Sequence, residues 1–146
     1  MLMREPFRTT RRVAWHDTDA AGIAHFTAFL RYMEDAEHEL LRHVGLSVLA
    51  RDDEGPITWP RVAVRCDFTA SVTFEDVLDI EVRVARIGEK SVTYRFQFAH
   101  DGRPIAHGVI TAVCCRLDPQ NKTPQSIAIP EWIAAQLRQA VCDVGA

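Results

Sequence analysis

One helix-length apolar stripe is the sequence feature that most restricts the fold of this chain. Apolar side chains recur every three or four residues over 26–44, which predicts a helix with one buried face. Much of the sequence after residue 57 alternates apolar and polar residues, as antiparallel strands with one buried face do. A helix and a sheet that each have one apolar face must bury those faces against each other. The stripe consists of Phe26, Phe29, Leu30, Met33, Leu40, Leu41 and Val44.

The alternating pattern and its turn signals predict the order of the elements. We place the last long strand in the interior of the sheet, because it is apolar on both faces. The Asp-Gly pair at 101–102 marks a hairpin turn. In chain order we predict a strand over 7–16, the long helix over 26–43, a loop over 51–56, strands within 57–68 and over 78–85, 92–99 and 105–117, a loop over 118–124 and a short helix over 130–141.

Composition restricts the partners and the compartment. The 146 residues suffice for one sizeable core, so we treat 1–146 as a single domain. A net charge of −3 without a basic run argues against nucleic acid. No segment approaches the roughly 20 apolar residues that span a membrane. Four cysteines without a Cys-x-x-Cys pair fit a reduced, cytoplasmic protein and not a disulfide framework or a zinc site.

The segment between the first strand and the long helix concentrates the residues that could perform chemistry. Its small residues let a ligand approach closely, and Gly22 can adopt a positive φ. A helix N-terminus offers unpaired amides and a positive dipole, which stabilise negative charge. Asp19 could therefore contribute a charged carboxylate to a reactive site at the start of the helix. The alternative for Asp19 is a structural role as the helix N-cap. The segment reads Trp15-His16-Asp17-Thr18-Asp19-Ala20-Ala21-Gly22-Ile23-Ala24-His25-Phe26.

Residues 17–26 resemble the active-site signature of hotdog-fold acyl-CoA thioesterases, in particular the group of 4-hydroxybenzoyl-CoA thioesterase and the Tol-Pal-associated thioesterase. The similarity continues through 29–36 and 41–46, and less specifically through 70–80 and 89–91. It implies an α+β hotdog fold, with a five-stranded antiparallel sheet wrapped around one long central helix. It further implies an acyl-CoA thioesterase that forms a homodimer or homotetramer, has its active sites between subunits and needs no metal or cofactor.

The resemblance also implies roles for individual residues. Asp19 would be the catalytic carboxylate, acting as nucleophile or as general base on water, and the backbone N–H of Phe26 would polarise the thioester carbonyl. His25, where many members carry an aromatic residue, would orient the substrate or help to protonate the leaving thiolate. A hydrogen-bonded structural histidine is the alternative. Asp17 is expected to end the first strand or to brace the loop.

Three further residues are candidates for substrate binding. Gly22 would let the substrate approach the loop. Lys90 would meet the phosphates of coenzyme A, and Arg61 is the second choice for that contact. A solvated turn lysine, and subunit pairing by the arginine, are the alternatives.

Two other functions compete with thioester hydrolysis. The first is a hotdog hydratase or dehydratase acting on 3-hydroxyacyl thioesters, which pairs an Asp with a following His. Asp19 and His25 fit that pairing only superficially, because the spacing differs and the usual Asn-Pro is absent. The second is a non-catalytic acyl-CoA-binding domain. A metal site formed by His16, Asp17, Asp19 and His25 lacks any recognised ligand spacing.

Overall fold

The computed structural model describes residues 5–120 and 122–141. None of the helices in this part of the chain is long and apolar enough to cross a membrane. In chain order the elements are β1 (Phe7–Arg12), a 3-10 turn (Trp15–Asp17), α1 (Phe26–His43), β2 (Ala50–Asp52), β3 (Gly55–Ile57), β4 (Arg61–Phe68), β5 (Val77–Ile87), β6 (Ser91–His100), β7 (Arg103–Val113), β8 (Cys115–Leu117), β9 (Pro124–Ser126) and α2 (Glu131–Arg138).

The five longer strands form one antiparallel sheet in the order β1-β5-β6-β7-β4. β7 has a partner on each side, as expected for the strand that is apolar on both faces. β1 and β4 are the two edges. The α+β class and the five-stranded antiparallel sheet predicted from the sequence are confirmed.

Helix α1 packs most of its apolar stripe against one face of this sheet. The stripe was wrong at Phe26 and Leu30, which are exposed. The contact with β7 is close, because a Cβ at Gly108 would overlap the Met33 sulfur and would lie 3.1 Å from the Arg65 carbonyl oxygen. At the edge of the sheet, Arg11 of β1 donates to Asp35 of the helix at 2.5 Å. A polar contact with the edge strand therefore accompanies the apolar contact between the helix and the sheet.

Both ends of α1 match the sequence prediction. His25 is the N-cap, since its Nδ1 accepts the N–H of Thr27 at 3.1 Å. The last turn carries Arg42 and His43, whose charge suits the negative end of the dipole. Gly45 follows with φ +81°, the left-handed conformation that ends many helices.

Several other predicted boundaries were wrong. The first strand ends at residue 12 rather than 16, because the chain turns into the 3-10 helix that leads to the loop. The supposed loop at 51–56 is part of a short hairpin, β2–β3, which Arg116 of β8 holds through Asp52 at 2.9 Å. The last long strand stops at 113, and β8 leaves the main sheet to pair with β9. The final helix covers 131–138, with Pro130 as its N-cap.

The sequence predicts reduced cysteines rather than a disulfide framework. Cys66, Cys114 and Cys115 are free thiols, and burial raises the pKa of each. Cys142 lies outside the described residues.

Candidate active site

Residues 17–25 form a short hairpin-like loop that leads into α1. At its base, the N–H of His25 donates to the carbonyl of Asp17 at 2.7 Å. Near its tip, the N–H of Asp19 donates to Ile23 and the N–H of Gly22 donates back to Asp19, both at 2.9 Å. These backbone bonds fix the path of the chain on both sides of Asp19.

The first carboxylate of the loop, Asp17, is buried beneath it. It accepts hydrogen bonds from the Tyr32 hydroxyl at 2.7 Å, from Arg31 at 2.8 Å and from the N–H of Ala14 at 3.1 Å. Burial alone would raise the pKa of Asp17, but these donors outweigh it and hold the pKa below its ordinary value. Asp17 therefore braces the loop, as expected from the sequence.

The second carboxylate, Asp19, lines an open cavity of about 170 Å³. One of its oxygens accepts the N–H of Ala21 at 2.8 Å. It does not cap α1, because His25 has that role, so the helix-capping alternative for Asp19 is wrong. The cavity wall consists of Asp19, Ile23, Ala24, Phe26, Phe29, Phe68, Ala70, Ser71 and Val72.

Phe26, the first residue of α1, lines the same cavity as Asp19. Its backbone N–H has no hydrogen-bond partner among residues 5–120 and 122–141, as is usual in the first turn of a helix. Asp19 and the first residue of α1, at the positive end of the helix dipole, thus line one cavity. Together they could bind a carbonyl that develops negative charge.

His25 has a structural function that the sequence left open. Its Nδ1 also lies 2.7 Å from the Thr27 hydroxyl, and its ring stacks on Phe26 with centroids 4.5 Å apart. His25 is absent from the cavity wall. Its catalytic role stays a prediction.

Gly22 serves the turn at the tip of the loop. Its φ of +80° is strained for residues that carry a Cβ. Apart from its two chain neighbours, no described residue has an atom within 4 Å of where that Cβ would be. The glycine is thus needed for backbone conformation rather than for packing within this chain. Its contact with substrate stays a prediction.

Lys90 and Arg61 lie far from Asp19 within one chain. β5 begins beside Arg12, just before the loop, and ends at Ile87, just before Lys90. The 11 residues of β5 span a distance on the order of 30 Å. Arg61, opposite Ala112, is at that same distant end of the sheet and binds the buried Glu37. The substrate contacts of both residues stay predictions.

Glu37 is a second buried carboxylate and lies further along α1. Its side chain is buried within the chain, where it pairs with the Arg61 guanidinium. Arg61 also donates to the Trp59 carbonyl at 2.5 Å.

Sequence reasoning missed the aromatic part of the cavity wall. Phe29 lies edge-to-face against Phe68, with ring centroids 5.2 Å apart. Phe68 is 46% exposed at the end of β4. The sequence signal that could have revealed this wall is Phe68, a large aromatic residue at the end of a predicted strand. Within the described part of the chain, no group of three or more His, Cys, Asp or Glu side chains could hold a metal ion.

Known proteins share both the sequence pattern and the fold of this chain. Residues 13–137 match the family model described as the thioesterase-like superfamily. The chain belongs to the thioesterase-like superfamily. This membership confirms the hotdog fold and the enzyme class expected from the sequence, a thioester hydrolase.

Individual relatives agree with this family. A 1,4-dihydroxy-2-naphthoyl-CoA hydrolase from Synechococcus sp. (strain WH7803) is 30% identical over 137 residues, covering 89% of this chain and 90% of that protein. The structure of a gentisyl-coenzyme A thioesterase is 27% identical, with a TM-score of 0.75 over 90% of this chain and 99% of that one. A 1,4-dihydroxy-2-naphthoyl-CoA thioesterase from Synechocystis shares the fold, with 24% identity, a TM-score of 0.76, and coverage of 94% and 96%.

Proposed function

We propose that this protein hydrolyses aryl-CoA thioesters to the free aromatic acid and coenzyme A, using Asp19 and the Phe26 amide. The observation that carries this proposal is that Asp19 and Phe26, the first residue of α1, line one cavity. The relatives named for aryl-CoA hydrolysis point to the same substrate class.

The thioester carbonyl would accept a hydrogen bond from the Phe26 N–H as it becomes an oxyanion. Such a donor lowers the barrier by about 3 kcal/mol. Asp19 would either attack the carbonyl carbon, giving a mixed anhydride, or remove a proton from an attacking water. In both routes the C–S bond breaks and the sulfur leaves as the thiolate of coenzyme A. In the first route water then hydrolyses the mixed anhydride, which releases the aromatic acid and restores the Asp19 carboxylate.

The size and lining of the cavity favour an aromatic acyl group. Its volume of about 170 Å³ is close to that of an engineered apolar cavity, about 150 Å³, that binds benzene. Phe26, Phe29 and Phe68 contribute three rings to the wall, and aromatic pairs prefer edge-to-face or offset contacts. A single ring therefore fits the cavity as one chain forms it.

We further propose that two copies of the chain pair along β4. This edge strand is eight residues long and exposes apolar side chains, with Val62 at 62% and Val64 at 44%. Such an edge favours pairing with another strand. Antiparallel pairing of two β4 strands would bring Arg61 of the second copy near Phe68 of the first. Lys90 lies at that same end of the sheet, so this arrangement supports the predicted phosphate contacts. A tetramer and a cytoplasmic location stay predictions.

A panel of thioesters tests the proposed function. Purified protein is mixed with benzoyl-CoA, naphthoyl-CoA, hexanoyl-CoA and crotonyl-CoA, and released thiol is followed with a thiol reagent. We expect the largest kcat/KM for an aryl-CoA. Loss of the crotonyl-CoA enoyl absorbance without thiol release would instead indicate a hydratase. Tight binding without turnover of any thioester would indicate a binding domain.

A further inference from the structure

Asp17 lies outside the cavity but ties together the elements that form it. Its side chain faces a separate polar cleft on the other side of the loop, and it is absent from the wall that contains Asp19. Asp17 and Glu37 are the two buried carboxylates in the part of the chain that the structure describes. A buried charge of this kind is retained only when donors satisfy it.

The donors to Asp17 come from both sides of the loop. Ala14 precedes the loop, whereas Arg31 and Tyr32 lie in the second turn of α1. The backbone carbonyl of Asp17 accepts the N–H of His25, which immediately precedes the helix. Side chain and backbone of one residue thus fix the start of the loop to its end and to the helix.

The bonds of Asp17 at the base of the loop also determine where the rest of the loop lies. Ala24 donates to the Val72 carbonyl at 2.8 Å, which holds the returning strand of the loop against the cavity wall. The bond from Asp19 to Ile23 pairs the two strands of the loop above the base. If the base opens, the Asp19 carboxylate can move relative to the first amide of α1.

We propose that Asp17 is a positioning residue that holds the Asp19 carboxylate and the Phe26 amide at a fixed separation. This inference rests on the proposed function, because it assigns the two positioned groups their chemical roles. A misplacement of 1 Å can reduce a rate by about 100-fold. Asp17 thereby affects the rate without touching the substrate.

Asp17→Asn tests the proposal, with Tyr32→Phe as a milder variant. An asparagine amide group must face at least one of the present donors, so the network is broken while side-chain volume is kept. We expect kcat per folded molecule to fall about 10- to 100-fold for Asp17→Asn and less for Tyr32→Phe, with KM changed less than kcat. The double variant should lose less than the two single losses multiplied, because both act through one network.

Asp52→Asn is the matched control. Asp52 also accepts hydrogen bonds from an arginine, Arg116, and from a backbone N–H, that of Glu54, but it lies in the β2–β3 hairpin. We expect this variant to keep the wild-type kcat. An equal loss of kcat in Asp52→Asn and Asp17→Asn would overturn the proposal, since it would indicate general destabilisation.

Amide hydrogen exchange gives a readout that does not need turnover. In Asp17→Asn we expect faster exchange at Asp19, Ala24 and His25, and unchanged exchange in the strands of the main sheet. Unchanged kcat, or reduced kcat with unchanged exchange of the loop, would overturn the proposal. If the wild-type protein hydrolyses no thioester, the proposed function fails. The positioning role would be overturned separately if the amides of residues 17–25 exchanged at the same rate in the wild type and in Asp17→Asn.

Discussion

Two buried carboxylates lie along helix α1, Asp17 against its second turn and Glu37 in its second half, and they differ in how completely donors satisfy the charge. Near the first turns, Asp17 accepts three hydrogen bonds, and its pKa is below the ordinary value. Further along, Glu37 has the Arg61 guanidinium as its partner, and its Oε1 has no hydrogen-bond partner among the residues that the structure describes. Burial raises the pKa of Glu37 to about 7, although Arg61 opposes this.

The donors to Asp17 outweigh the effect of its burial on the pKa, whereas Arg61 does not outweigh the effect of burial on Glu37. Asp17 is held as an anion beside the proposed catalytic loop. Glu37 titrates near neutral pH at a distance from that loop. Substitutions in the first region, the loop that contains Asp17 and Asp19, should therefore alter kcat. Substitutions in the second region, the Glu37–Arg61 pair, should alter the free energy of unfolding and its dependence on pH.

The largest effect is expected from Asp19→Asn. Losing the carboxylate removes the proposed nucleophile or base, so kcat should fall by about 10²- to 10⁴-fold. The asparagine oxygen can still accept the Ala21 N–H, so the melting temperature should stay near that of the wild type. Thiol release and a thermal melt measure the two quantities. Wild-type turnover in this variant would exclude Asp19 from the chemistry.

A substitution at Phe26 can remove the proposed oxyanion donor. Proline has no N–H and is well tolerated at the first position of a helix, and His25, at φ −64° and ψ 142°, already has a conformation that precedes proline easily. Phe26→Pro should lower kcat by about 10²- to 10³-fold relative to Phe26→Ala, which keeps the amide.

The alanine variant is the control in that experiment, because it loses the same aromatic ring. Steady-state kinetics on one aryl-CoA gives the ratio of the two kcat values. Equal values for the two variants would show that the amide does not contribute to the rate.

These two predictions concern the part of the molecule that the sequence revealed best. The helix stripe from Phe26, the alternating strands and the Asp-Gly turn at 101 follow from local patterns, and their positions were predicted correctly. The signature placed Asp19 beside the helix start because both belong to one continuous segment. The local sequence pattern and the family resemblance were therefore enough to identify the Asp19 carboxylate and the Phe26 amide as candidates.

The remaining features depend on contacts between distant residues, which a single sequence does not encode locally. The pairing of Glu37 with Arg61 joins residues 24 positions apart. The approach of Phe68 to Phe29 depends on the end of β4 lying beside α1. The hairpin β2–β3 has a polar sequence that resembles a loop, and a contact from Arg116 in β8 stabilises it.

Glu37→Gln tests whether the raised pKa of Glu37 makes the free energy of unfolding depend on pH. The pKa of Glu37 rises from 4.5 in the unfolded chain to about 7 in the folded one, so the folded state binds more protons between these values. The free energy of unfolding should therefore be highest below the lower pKa and should fall as pH rises through the upper one. The shift corresponds to about 3 kcal/mol.

Urea unfolding of both proteins at about pH 5 and about pH 8 measures this difference. Glutamine does not titrate, so the variant should lack this decrease, whatever its absolute stability. An identical pH dependence in the two proteins would contradict the raised pKa. The kcat of the variant should stay near that of the wild type.

The smallest effect is expected from His25, where capping and chemistry can be separated. His25→Ala removes the acceptor for the Thr27 N–H and should reduce the free energy of unfolding by about 1 kcal/mol. His25→Asn keeps an N-cap acceptor, so its stability should be close to that of the wild type, and its kcat should fall less than tenfold. A much larger loss of kcat in a fully stable His25→Asn protein would instead place the imidazole in the reaction, since only the capping acceptor is shared by the two side chains.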